Sequence, residues 1–311
     1  MLNLNLKHMR FVDAAARHGS IAQAAIEMHI SQSSVTAAID AVEAQLGFDL
    51  FTRTPAKGIR PTSAGREALS LIKGFLGQAR HVSAELESIG GDMVGTLRIG
   101  CYVSTAPSFL PVVLKSFSQG HPGVSIKVLE GDMAMVLEFL DEGEVDLVFT
   151  YNVFTYNKEL SPRHRFEDLF HAPPYALLPA DHALARQACV AMAELAPLPM
   201  VMLDLAWTQD YYRDMFASCG LAPIVAHSTR SVEITRSLVS AGLGYTILNF
   251  MPPDYRGNDP RFRAIPISDP LDRPCFGIAT QQVVNTPRMI GIFIQHCRDL
   301  QAMGAFDKSV I

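Results

Sequence analysis

The chain has 311 residues, 49% of them hydrophobic and 18% charged, with a formal net charge of −5. That content supports two or three packed domains, and the acidic balance, which falls on residues 90–311, excludes that part from binding DNA or other polyanions by bulk charge. No apolar run is long enough to span a bilayer and no charged-then-apolar secretory start is present, so a cytoplasmic location is expected. Cys101, Cys189, Cys219, Cys275 and Cys297 are dispersed without CxxC spacing, and the ten histidines lack HExxH spacing, so neither a metal site nor another cofactor is expected.

A first helix is predicted over residues 5–18, with Met9, Val12 and Ala16 on its inner face and Gly19 at its end. Ser20 caps a second helix whose Ile21, Ala24, Ala25 and Met28 form an apolar stripe; Ser31 caps a third, striped by Val35, Ile39, Val42 and Leu46. The free side of the third helix begins with Gln32, Ser33 and Ser34 and continues through Thr36, Ala37 and Asp40. A tight pair of helices with such a face suits the major groove. Gln pairs bidentately with adenine, Ser and Thr bond several bases, and a Thr methyl meets a thymine methyl. After Gly47, the alternation of Phe48, Leu50 and Phe51 predicts a short strand, and Arg53, Lys57 and Arg60 cluster around a Pro55–Gly58 turn within reach of phosphates, as a wing would.

From residue 62 to 89, Ala68, Leu71, Phe75, Ala79, Val82, Leu86 and Ile89 are spaced alternately by three and four, with Leu69, Ile72 and Leu76 on a second flank. This heptad-like seam calls for a partner helix, and Gly90 and Gly91 end it. Nine Lys and Arg face eight Asp and Glu over residues 1–89, a net of +1, which leaves −6 for residues 90–311. A single reading module should therefore hold non-specific DNA weakly, and binding should need several modules.

Beyond residue 95 strands and helices alternate: LRIGCYV, a helix after Pro107, SIKVLEG, the helix MAMVLEFLDEG and DLVFTY, implying an α/β unit with a mainly parallel sheet. A second lobe is expected over about 166–266, with the first lobe formed by about 95–165 and 267–311, so that crossing strands join the two. Ligands in such folds sit between lobes, at strand C-termini and helix N-termini. That rule selects Ser104 and Thr105, Glu130 to Met133, Tyr151 and Asn152 in the first lobe, and Asp204 to Thr208, with Trp207 among them, and Asn249 and Phe250 in the second. Tyr102, Tyr151, Trp207 and Phe250 are placed to flank a ring there and no Lys or Arg falls at these loops, which fits a small aromatic or carboxylate metabolite.

The run FVDAAARHGS at 11–20, AAIEMHISQSSVT at 24–36, LG-x-x-LF-x-R at 46–53 and PTSAG at 61–65 resemble the LysR-type bacterial transcription regulators, as do LPADHALA and SLVSAGLGYTIL in the C-terminal half. The resemblance implies a winged helix-turn-helix over residues 1–61, a linker and dimerisation helix over 62–89, and a two-lobed α/β effector domain of periplasmic-binding-protein type over 90–311. It places Gln32, Ser33, Ser34, Thr36 and Ala37 against the groove and Arg53, Lys57 and Arg60 in the wing. It marks Ser104 as the strongest cleft match, with Thr105, Met133, Tyr151, Asn152, Asp204, Trp207, Thr208, Asn249 and Phe250 beside it. Its partners are double-stranded promoter DNA, a small-molecule effector and further copies in a homodimer or homotetramer; it also admits RNA polymerase. The chain departs from relatives at Ala37 and Asp40, where basic residues are common, and at Asn249, where Pro is. Two alternatives are a redox-sensing regulator using cysteines such as Cys189 and Cys219, and an α/β-cleft enzyme. The second lacks any GxSxG elbow, GxGxxG run or phosphate loop.

Overall fold

The computed structural model describes residues 4–54, 58–89, 91–152, 163–251, 261–283 and 285–307. Contacts divide the chain into two units, one holding the residues up to Ile89 together with Asp141–Glu144 and the other holding the rest.

In the first unit α1 (Leu6–His18), α2 (Ile21–Glu27) and α3 (Gln32–Leu46) each begin at a polar side chain that accepts a hydrogen bond from a first-turn amide: Asn5 from Lys7, Ser20 from Gln23 and Ser31 from Ser34. Gly19 and Gly47, both left-handed, end α1 and α3. The turn between α2 and α3 passes through His29 at φ +53°. Ala14, Ala15, Ala24 and Ala25 are buried with Val12, Val35, Ile39 and Val42, so the short side chains let the three helices approach closely.

The hairpin β1 (Phe51–Thr54) and β2 (Gly58–Pro61) follows, with Arg53 opposite Ile59. Its first strand starts later than the alternation from Phe48 suggests. Glu43 explains the delay, because its Oε1 accepts from the amides of Leu50 at 2.7 Å and Phe51 at 3.1 Å and turns that segment toward α3. The returning strand is tied to the end of α1, where the Ile59 amide donates to the Gly19 carbonyl at 2.9 Å. Gly58 lies at φ +81°, and a Cβ there would stand 2.3 Å from that same carbonyl oxygen, so both backbone conformation and space demand glycine. Thr62 caps α4 (Ser63–Glu87), whose 25 residues span about 37 Å at 1.5 Å per residue. Leu69, Ile72 and Leu76 are buried in the core of the first unit, whereas Leu71, Phe75, Val82, Leu86 and Ile89 are exposed.

The second unit runs β3 (Gly95–Tyr102), α5 (Ala106–Gly120), β4 (Val124–Gly131), α6 (Met133–Asp141), β5 (Leu147–Tyr151), β6 (His164–His171), β7 (Tyr175–Pro179), a 3-10 turn at Ala183–Arg186, α7 (Met192–Leu195), β8 (Pro199–Leu203), α8 (Thr208–Ser218), β9 (Ile224–Thr229), α9 (Val232–Ser240), β10 (Thr246–Leu248), β11 (Phe262–Pro266), β12 (Cys275–Gln281) and α10 (Arg288–Ala302). Its first sheet has the order β4-β3-β5-β12-β6. The ladders β3 with β4 and β3 with β5 are parallel, but β12 returns antiparallel to both β5 and β6, so the sheet is mixed rather than mainly parallel. The strand β6 covers the stretch where the second lobe was expected to start at 166; it instead forms the edge of the first sheet, held there by its ladder with β12. The chain crosses between lobes after β6 and returns before β12. In the second lobe β10-β7-β11 is antiparallel, β8 and β9 pair in parallel, and a bridge from Met200 to Tyr245 links the two sets.

In the first lobe Phe109 packs edge to face against both Phe149 and Phe276, with centroids 4.8 and 5.1 Å apart, and these two rings stack on each other at 6.4 Å. The last helix α10 packs on α5 and β6, with Phe293 4.9 Å from Phe117. The second lobe has its own core of Met200, Tyr212, Phe216, Tyr245 and Ile247. Among the described residues no helix is long and apolar enough to cross a membrane.

Candidate nucleic-acid interface and ligand cleft

The outward stripe of α3 is exposed at Gln32, Ser33, Ser34, Ala37 and Asp40, while Val35, Ala38, Ile39 and Val42 are buried and Thr36 is half-buried. The period of the helix separates the two faces. At its tip Ser31 Oγ lies 2.8 Å from both Ser33 Oγ and Ser34 Oγ and accepts from the Ser34 amide at 3.2 Å. Ser33 and Ser34 thus turn their hydroxyls back on the cap and present short, pre-oriented groups. Among the described residues the Gln32 amide makes no hydrogen bond, which leaves its full donor and acceptor capacity for a base edge. In the hairpin Arg60 is exposed, and Arg53 bonds to Asp40 of α3 with Glu43 Oε2 at 3.8 Å. Lys57 lies outside the described residues. Behind this face Glu27 of α2 bonds to Arg17 at 2.5 Å and to His18, and the Arg17 guanidinium holds its carboxyl below the usual range.

In the second unit the ends of β3, β5, β8 and β10 meet where the two lobes face each other. A small inner chamber of about 30 Å³ is lined by Tyr102, Ser104, Thr105, Tyr151, Thr208, Asn249 and Phe250, all picked out in the sequence, and by Leu203, Tyr211, Tyr212, Val232 and Leu248, which were not. That volume holds roughly one or two water molecules, so a ring enters only if the lobes or the aromatic side chains move apart. Several polar groups expected to face a ligand are already committed. Thr208 Oγ1 donates toward the carbonyls of Leu203 and Leu205 and accepts from the Leu205 amide at 2.8 Å, which stitches the turn that leads into α8. Thr105 donates to the Tyr102 carbonyl, and the Asn249 amide nitrogen donates to the Ala172 carbonyl and the Tyr211 hydroxyl, each at 2.9 Å. Burial raises the phenol pKa of Tyr102, Tyr151, Tyr211 and Tyr212, so these hydroxyls stay protonated.

A wider outer cavity of about 460 Å³ opens beside it, lined by Asp132 of the first lobe and by Asp204, Trp207, Gln209, Asp210 and Arg230 of the second. Asp132 caps α6 through Oδ1, which accepts from the amides of Ala134 and Met135 at 3.1 Å; its Oδ2 accepts from Arg230 Nη2, also at 3.1 Å. This ion pair spans the lobes. Trp207, at φ +69°, holds a conformation rarely adopted by bulky residues and sets its ring at the cavity wall as α8 begins.

Two residues selected from the sequence line neither of these cavities, and a cation outside the selected loops lines the outer one. Met133 is buried in the first lobe, its sulfur accepting from Thr150 Oγ1 at 3.0 Å, and lines neither cavity. Asn152 lines neither; its backbone amide donates to the Cys275 carbonyl and continues the β5 to β12 ladder. A cation is present after all, because Arg230 follows β9 and precedes α9. The strand-end rule, applied to β9 as it was to its neighbours, would have selected it. Tyr211 and Tyr212 carried no such signal, since they lie inside α8 as its fourth and fifth residues and not on the strand-end loop.

Among the described residues no group of three His, Cys, Asp or Glu side chains could hold a metal ion. Ser116 and His296 lie 2.8 Å apart between α5 and α10, and neither lines either of these two cavities. Burial pushes the thiols of Cys101 and Cys297 up, and burial with nearby Asp168 pushes Cys275 up to about 11, which disfavours the reactive thiolate at all three.

The chain matches the family model for the bacterial regulatory helix-turn-helix protein of the lysR family over residues 6–66 and that for the LysR substrate binding domain over residues 90–302. Curated relatives include the RuBisCO operon transcriptional regulator of Allochromatium vinosum, 29% identical over 80% of each chain, and the HTH-type regulator YnfL of Escherichia coli, 30% identical over 79% of this chain and 82% of the other. A full-length OxyR variant from Pseudomonas aeruginosa shares the fold with a TM-score of 0.73 at 22% identity, covering 95% of this chain and 98% of the other.

Proposed function

Since this chain belongs to the LysR family of DNA-binding transcriptional regulators, controlled by small-molecule effectors and oligomeric as a class, we propose which of its groups carry each step. The tip of α3, with Gln32, Ser33, Ser34, Thr36 and Ala37, enters the major groove, and Arg53, Lys57 and Arg60 in the hairpin hold flanking phosphates. The exposed seam of α4 pairs two copies, and pairs of dimers form a tetramer. The cytoplasm is the compartment, promoter DNA the target, and RNA polymerase a contact at the promoter.

The effector is a small aromatic or carboxylate metabolite held between the lobes. Its ring lies against Trp207 and its carboxylate takes Arg230 from Asp132. Asp132 keeps its two amide partners on α6, so the exchange costs the first lobe little while the second lobe is released from it. Loss of that tie favours a different lobe arrangement, and the differential affinity of effector for the two arrangements supplies the energy that respaces the paired readers on the promoter.

The observation that carries this reading is the Arg230 to Asp132 bond between two residues that line a 460 Å³ cavity. Trp207 is the single tryptophan of the chain, so its fluorescence reports directly on that site. The full-length protein is titrated with aromatic carboxylates while emission and promoter footprint are followed together. The expected result is a saturable emission change with altered footprint spacing at the same ligand concentration. An emission change with an unaltered footprint defeats the respacing step; no response to any ligand of the class defeats the assignment of effector chemistry.

A further inference from the structure

The outward stripe of α3 runs through Ser33, Ala37, Asp40 and Ala44, spaced as one exposed line along the helix, and Asp40 is its one charged member. A carboxylate aimed at a polyanion is the least expected residue on such a line. Asp40 bonds to Arg53 of the hairpin, the same guanidinium assigned above to a DNA phosphate. The second carboxylate near Arg53 is already engaged: Glu43 Oε1 receives the amides of Leu50 and Phe51, and only Oε2, 3.8 Å away, faces the guanidinium. The Asp40 and Arg53 side chains are each about half exposed, so the bond between them is weak enough for a phosphate to displace. The module carries a net charge of only +1 over residues 1–89, so one occupied arginine is a large fraction of its attraction for DNA.

We infer that Asp40 is a specificity-determining residue that holds Arg53 away from DNA until the correct register offers it a fixed phosphate. On a random duplex the hairpin meets phosphates without a locked geometry, and Arg53 stays on Asp40. On a cognate duplex the α3 contacts fix the hairpin, a phosphate sits within bonding reach, and Arg53 transfers to it. The device suppresses random binding more than cognate binding. It rests on the DNA-reading assignment of α3 and the hairpin.

The test compares the full-length wild type with Asp40→Asn, Arg53→Gln and the double variant, using a duplex selected by the wild type from a random pool and an unselected duplex, over a salt series. Asp40→Asn is expected to tighten binding to the unselected duplex by about threefold to fivefold, to tighten the selected duplex less, and to steepen the salt slope by about one. In the Arg53→Gln background the gain should disappear. An unchanged affinity for the unselected duplex, a loss on the selected duplex, or a gain that persists without Arg53 each overturns the inference. Wild-type binding of the selected duplex by Arg53→Gln overturns the hairpin assignment as well, whereas weakened binding by Arg53→Gln with no response to Asp40→Asn overturns the inference alone.

Discussion

Leu71→Ala on α4 should cost the protein its dimer rather than its fold. Leu71 is 77% exposed in the single chain and lies on the seam with Phe75, Val82 and Leu86, while the core of the first unit takes Leu69, Ile72 and Leu76 from the opposite flank. The substitution removes three carbon groups worth about 0.8 kcal/mol each on full burial. Scaled by the exposed share, the loss is about 1.8 kcal/mol per chain, and a symmetric pair loses it twice, about 3.6 kcal/mol. That corresponds to roughly two to three orders of magnitude in the dimer dissociation constant. Alanine is the better helix former, so α4 itself is not weakened. Sedimentation velocity over a dilution series reads the constant, and circular dichroism checks that helix content is retained. A dissociation constant within threefold of wild type, with the fold intact, would show that the seam meets no partner helix.

Gln32→Ala should weaken a selected duplex by about tenfold or more while leaving an unselected one nearly unchanged, as an amide reading a base edge requires; equal losses in a competition binding assay would refute that role. Ser104→Leu fills the inner chamber and should abolish the effector-dependent change in footprint with DNA affinity retained, and an intact response would remove Ser104 from the cleft assignment. Glu27→Gln should lower the stability of the first unit by up to about 1 kcal/mol at neutral pH, since the pairs with Arg17 and His18 are partly exposed. Because the folded carboxyl titrates below its ordinary value of 4.5, this contribution is present above that pH and lost as the pH falls through the lowered value, so thermal melts of variant and wild type should converge in acid.

Local chemistry was enough for the helices of the first unit. The caps Ser20 and Ser31, the terminators Gly19 and Gly47 and the stripes of α2 and α3 act within a few residues of one another, so helical period and hydrogen-bonding capacity specify them before any tertiary contact forms. The seam of α4 was legible for the same reason, as an apolar pattern that among the described residues stays exposed at Leu71, Phe75, Val82, Leu86 and Ile89. What the linear order could not reveal depends on side chains brought together across long separations. The bond of Arg53 to Asp40 arises only when the hairpin folds onto α3, and that of Arg230 to Asp132 joins residues 98 positions apart on different lobes. The place of β6 in the first sheet was likewise decided by β12, more than a hundred residues later, because the pattern of a mostly half-exposed strand states that the segment is extended but not which ladder takes it.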